Sequence, residues 1–125
     1  MAAVGPIGRL NVIVLVVRVL QRSLRFYGET LGLPVQAQMG NWAYINAGGV
    51  TLALQHLPKA DFPQNLYMSE LVFRVEDIDA VHAALKQSGV TFINTIRQLT
   101  DKEFGISFRD PDGHVLTIMG PKKRL

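Results

Sequence analysis

The sequence predicts an α+β fold of two βαβββ modules. Three observations carry this. A strand-then-helix pattern occurs twice in 125 residues, a glycine closes each helix, and each half continues as short strands separated by turn residues.

The first strand, Val12 to Val19, is rich in β-branched residues, and Glu70 to Asp77 has the same character. After the first, Leu20, Leu24, Tyr27 and Leu31 recur as the stripe of an amphipathic helix, and Gly32 stands where a left-handed C-terminal cap falls. After the second, Asp77 or Asp79 caps a helix with Ile78, Val81 and Leu85 on one face, and Gly89 ends it. Strands follow at Leu33 to Met39, Trp42 to Asn46 and Val50 to His56, with Gly40-Asn41 and Gly48-Gly49 as turns. In the second half they follow at Val90 to Thr95, Phe104 to Arg109 and His114 to Met119. Asp110-Pro111-Asp112-Gly113 suits a type I turn. The halves align with Val12 on Glu70 and Gly49 on Gly113. One domain, 1–125, is expected: module one at about 8–57, a linker at 58–68, module two at 69–121 and a basic tail at 122–125. The connection, with Pro58, Phe62, Pro63 and Tyr67, reads as a linker or a lid.

Composition excludes several classes. Hydrophobic residues at 48% and charged residues at 18% speak against intrinsic disorder. The absence of cysteine removes disulfide scaffolds and thiolate chemistry. Leu10 to Leu20 is too short to span a bilayer and lacks a cleavage site, so neither a membrane partner nor export is expected, and the protein is read as cytoplasmic. The net charge of +3 equals the contribution of Lys122, Lys123 and Arg124, a solvated tail rather than a nucleic-acid-binding face.

Four segments in order resemble the vicinal oxygen chelate superfamily, which includes glyoxalase I, bleomycin-binding resistance proteins, extradiol dioxygenases and fosfomycin-modifying enzymes. Arg22-Ser-Leu-Arg-Phe-Tyr-Gly-Glu-Thr-Leu-Gly-Leu33 is similar to its first-helix motif. Phe108-Arg-Asp-Pro-Asp-Gly-His-Val-Leu-Thr-Ile118 is similar to its terminal hairpin. Val75-Glu-Asp-Ile-Asp79 and Leu85 to Val90 are similar to the bounds of its second helix. The resemblance spans Leu10 to Pro121. It implies the glyoxalase/bleomycin-resistance-like fold, with paired βαβββ modules forming a curled mixed sheet around a pocket, a small-molecule ligand and a homodimer.

The resemblance also implies metal-ligand positions at Val12, Ala53, Glu70 and Thr117. Val12 and Ala53 offer no donor, Thr117 offers a neutral hydroxyl, and Glu70 alone is one carboxylate, too few for a tight divalent site. A one-residue shift presents Asn11, Ile13 and Leu52 or Leu54 instead, which is no better. His56 and His114 stand near strand ends. The expectation is therefore a protein without metal or other cofactor.

If Val12 and Glu70 face the cavity, as the resemblance implies, strand alternation turns Val14, Val16, Arg18, Val72 and Arg74 toward it as well, with Thr51, Ala53, Gln55, Val115, Thr117 and Met119 on its other walls. Ile13, Leu15, Val17, Leu71, Phe73 and Val75 then face the helices. Trp42 and Tyr44, or Phe104, Ile106 and Phe108, would stack on a planar ligand or pack the core. Arg18 and Arg74 would hold an acidic ligand or extend into water. Glu70, beside apolar neighbours, is the candidate catalytic residue if it is desolvated; otherwise it pairs with an arginine, bonds Thr117 or sits at a wet strand entrance.

Three functions remain open. The first is a metal-free binding protein, similar to the bleomycin-resistance branch, that sequesters an apolar or aromatic ligand through Val12, Trp42, Tyr44, Ala53, Gln55, Glu70, Arg74 and Thr117. The second is a glyoxalase- or dioxygenase-like enzyme using Glu70 as acid–base group or weak metal ligand. The third is a structural or regulatory dimer with a filled cavity. No triad spacing, phosphate-binding glycine loop or carboxylate pair assigns a reaction.

Overall fold

The computed structural model describes residues 11–57 and 70–123. The chain divides into two compact units, Met1–Phe62 and Pro63–Leu125. The expected linker or lid at 58–68, the first residues of module one and the end of the basic tail lie outside the described residues.

The first unit contains β1 (Val12–Val17), α1 (Leu20–Leu24) continued by a π-helical turn (Arg25–Thr30), β2 (Val35–Met39), β3 (Trp42–Asn46) and β4 (Thr51–His56). Its mixed sheet has the order β1-β4-β3-β2, with β1 parallel to β4 and the other pairs antiparallel. The second unit contains β5 (Glu70–Arg74), α2 (Ile78–Gln87), β6 (Arg97–Gln98), β7 (Phe104–Arg109) and β8 (Val115–Gly120). Its order, β5-β8-β7-β6, repeats the first, again with the first and last strands parallel. Val12 pairs with Thr51 and Glu70 with Val115, the equivalence that aligning the two halves requires.

Alternation separates the faces of each sheet. In the first unit Leu15, Val17, Ala43, Ile45, Leu52 and Leu54 are buried on one face, and α1, bringing Leu20 and Tyr27, lies against β3 and β4. In the second, Leu71, Ile106, Phe108, Leu116 and Ile118 are buried, and α2 brings Ile78 and Leu85 against β7 and β8. Each of these Val, Leu, Ile and Phe side chains contributes about 1.5–3 kcal/mol when fully buried.

Local signals explain the helix ends. The Asp77 carboxylate accepts from the amides of Asp79 and Ala80, satisfying donors that a helix start leaves open. At the other end Val90 N–H donates to the Leu85 carbonyl and Gly89 N–H to that of Lys86, a complete Schellman closure with Gly89 at φ 93°. The first helix ends differently. Leu31 N–H donates to the Phe26 carbonyl, five residues back, so its last turn is one residue wider than an α-turn.

Two expected elements are corrected. Val90 to Thr95 is not a strand: only an isolated bridge joins Phe92 to Phe108, and the edge strand is the two-residue β6. The opening strands are also shorter than expected, because β1 gives way to α1 after Val17 and β5 ends at Arg74. Where β8 ends, Val75 N–H donates to the Met119 carbonyl and Ile78 N–H to that of Pro121. This brings the Val75 carbonyl so close to Gly120 that a Cβ there would overlap it.

Candidate functional site

In the first unit the register sets Val14, Ala53 and Tyr44 side by side across three strands, and Val16, Gln55 and Trp42 in the next row. Val12 and Thr51 form the row before them. This is the face turned away from α1. Trp42 and Tyr44, two residues apart on β3, lie with ring centroids 6.2 Å apart and planes within 9° of parallel. Met39 of β2, opposite Trp42 and 61% exposed, extends the surface, and Val14 is 47% exposed. An aromatic pair flanked by a thioether and branched aliphatics forms a flat apolar platform, with Gln55 supplying a polar amide. Ala53 is fully buried, so it supports this surface without offering any of its own.

In the second unit Glu70, Val72, Arg74, Val115, Thr117 and Met119 share the face turned away from α2. Glu70 is exposed rather than desolvated, and the Thr117 hydroxyl donates to its carboxylate. Thr117 is 2% exposed, and Ser107 Oγ, directly opposite on β7, lies 2.7 Å from Thr117 Oγ1. A hydroxyl has a single proton. Because that of Thr117 is directed to Glu70, Ser107 must be the donor to Thr117. Ser107 is anchored in turn by its N–H, which donates to Asn94 Oδ1 at 2.9 Å. A buried pair of hydroxyls thus holds one oxygen of an exposed carboxylate. Val72, 52% exposed, lies two residues along β5. Arg74 forms an ion pair with Glu103, so an acidic ligand would have to share that guanidinium.

Within each unit the structure brings expected site residues onto one sheet face: Val12, Trp42, Tyr44, Ala53 and Gln55 in the first, and Glu70, Arg74 and Thr117 in the second. Phe104, Ile106 and Phe108 alternate with Ser107 and so lie on the opposite face from Thr117, the one that bears α2, where Phe108 meets Phe92 edge-on at 5.6 Å. Sequence reasoning missed Ser107, Asn94 and Glu103. Counting back from the Asp110–Gly113 turn would have found Ser107, because that hairpin sets it opposite Thr117.

The side chains at the implied metal positions do not fit a divalent ion. Val12 and Ala53 carry no donor atom, and the Thr117 hydroxyl is committed to Glu70. Among the described residues no three or more His, Asp or Glu side chains gather. His56 stands at the end of β4, and the His114 amide donates to Asp110 Oδ1 in the β7–β8 turn. No helix among the described residues is long and apolar enough to cross a membrane.

Comparison with known proteins places this geometry. The family model of the Glyoxalase/Bleomycin resistance protein/Dioxygenase superfamily matches residues 9–118. Glutathione transferase FosA of Serratia marcescens is 32% identical over 113 residues, covering 87% of this chain and 78% of that protein. Metallothiol transferase FosB of Staphylococcus haemolyticus is 27% identical over 103 residues, covering 79% and 73%. Among solved structures, TnmS3, an antibiotic binding protein from a Streptomyces species, superposes with a TM-score of 0.74 at 26% identity over 94% of this chain and 99% of its own. A glyoxalase/bleomycin resistance protein/dioxygenase from Nocardioides shares the fold, with a TM-score of 0.77 at 20% identity over 96% of this chain and 87% of its own. Together with the repeated βαβββ topology, these matches mean that the chain belongs to the glyoxalase/bleomycin resistance protein/dioxygenase superfamily.

Proposed function

We propose that the protein binds a planar, apolar small molecule on the Trp42–Tyr44 platform, without a metal ion, and sequesters it. The observation that carries this reading is the pair of parallel rings beside Met39, Val14 and Gln55, on the same sheet face as the donor-free Val12 and Ala53. Small-molecule sites are commonly built this way, from an apolar surface with a few polar groups that fix orientation. Similarity to an antibiotic binding protein over nearly the full length supports it. A homodimer belongs to the same reading, and native mass spectrometry tests it.

The chain has a single tryptophan, so its emission reports on this surface alone. Titration with planar polycyclic compounds is expected to quench or shift Trp42 emission saturably. Trp42→Ala should weaken calorimetrically measured binding by about 2 kcal/mol, roughly 30-fold, the effect of removing a large aromatic anchor. Binding that survives this truncation would move the site elsewhere. Metal present in proportion to protein would overturn the metal-free part.

A second reading is favoured by the FosA and FosB relatives and by the hydroxyl pair that orients Glu70. In it Glu70 acts as an acid–base group in a transfer reaction. Glu70→Gln should then stay folded, lose turnover and keep ligand affinity. Unchanged turnover in that variant would eliminate this reading and leave the platform intact.

A further inference from the structure

The helix-bearing side of the second sheet, opposite to Glu70 and Thr117, holds a cleft of about 520 Å³ between α2, the 90–96 segment and β7. That size lies within the range of small-molecule sites. Its lining is chemically one-sided. His82 and Lys86, one helical turn apart on α2, face Thr91 and Asn94, and Phe92 and the buried Ile106 form apolar wall and floor. No lining residue is acidic.

The polar groups that remain available can all donate, and two of them, the Lys86 ammonium and the Asn94 NH₂, can only donate. The Lys86 ammonium has no hydrogen bond or ion pair among the described residues. The Asn94 carbonyl oxygen is occupied by Ser107 N–H, which can only donate, and this fixes the orientation of the amide and leaves its NH₂ for a ligand. His82 meets Phe92 edge-on at 4.7 Å, and Phe92 meets Phe108 in turn, so the aromatic wall is braced from the core. One ammonium beside neutral donors matches a single negative charge. A phosphate dianion would call for several cations or an arginine fork, and the lining has no arginine.

We infer that this cleft is a second binding site, for a small organic acid with an apolar body and one carboxylate. The carboxylate meets Lys86 and the Asn94 NH₂, and the apolar body lies along Phe92 and over Ile106. The inference does not depend on the platform of the first unit.

Titrating the full chain with 2-naphthoate and following its amide resonances by heteronuclear NMR tests it. Saturable shifts are expected at Thr91, Phe92, Asn94 and Ile96 and in the last turn of α2. The neutral isostere 2-naphthamide should bind about tenfold more weakly, and Lys86→Gln should weaken naphthoate by a similar factor, that of one charge-assisted contact. Lys86 is exposed, so its replacement does not endanger folding. The site is refuted if those amides show no saturable shift, if acid and amide bind equally, or if Lys86→Gln leaves affinity unchanged. Shifts confined to β3 around Trp42 would also refute it, by making naphthoate a ligand of the platform alone.

Discussion

Phe108→Ala should cost about 3–5 kcal/mol of stability, the range for truncating a fully buried aromatic side chain. Phe108 has no exposed surface, pairs with Leu116 on β8 and is bridged to Phe92. Its removal takes away the ring on which Phe92 rests and leaves a void between α2 and β7 that the surrounding strands cannot close. Set against a total of about 5–15 kcal/mol for a protein of this kind, that loss moves it close to unfolding at ordinary temperature. Urea denaturation measures it, with a lowered midpoint at unchanged slope as the expected signature. A loss below about 1 kcal/mol would mean that the ring is not the keystone its burial indicates.

Gly120→Ala should cost about 3 kcal/mol, at the upper end of the range for overpacking, although it adds a single methyl group. The new carbon would overlap the Val75 carbonyl oxygen, which is main chain and cannot rotate aside. To make room, the path from β5 to α2 must move away from β8, stretching the bonds from Val75 N–H to Met119 and from Ile78 N–H to Pro121. The contrast with a side-chain clash is testable. Combining the substitution with Val75→Ala should restore little, because the obstacle is the carbonyl; full rescue would show that the Val75 side chain was the obstacle.

Much of the fold could be read from the sequence because its signals are local and chemically strong. The Asp110-Pro111-Asp112-Gly113 turn forms with the Gly113 N–H donating to the Asp110 carbonyl and the Asp110 side chain accepting from Asp112 and His114. Gly32 and Gly89 take the positive φ that ends a helix. The 90–95 segment misled for a specific reason. Its Val, Thr, Phe and Ile residues are those that favour strands, but Asn94 uses its side-chain carbonyl to take the Ser107 N–H that a strand would have bonded with its main chain. A competing side-chain acceptor of this kind has no periodic signature. The widened turn at Arg25–Thr30 has none either: the stripe of Leu20, Leu24, Tyr27 and Leu31 is compatible with an ordinary α-helix.

The candidate site was legible to the extent that it depends on alternation. Trp42, Tyr44, Ala53 and Val12 share a face because strand geometry leaves no other choice. Partners contributed by loops were not legible. Glu103 reaches Arg74 from a polar stretch without pattern. Nor could alternation tell how far each face is covered: Glu70, read as a candidate for desolvation, is exposed, whereas Ala53 and Thr117 on the same kind of face are buried.

The parallel pairing of first and last strands in both units has a consequence for how the chain is made. β1 is wholly aliphatic, yet its hydrogen-bonding partner begins only at Thr51, so during synthesis it must wait for nearly the whole first unit to emerge. At about 5–20 residues per second, that wait lasts some seconds. Throughout it Val12–Val17 is an unpaired, sticky strand, the kind of segment that captures other nascent chains. Slowing translation after β1 has left the ribosome and before β4 has done so would lengthen that exposure, whereas slowing it later, once β4 can close the sheet, would not. In this architecture the hazard of misassembly therefore lies in the timing of the fourth strand rather than in the stability of the finished protein.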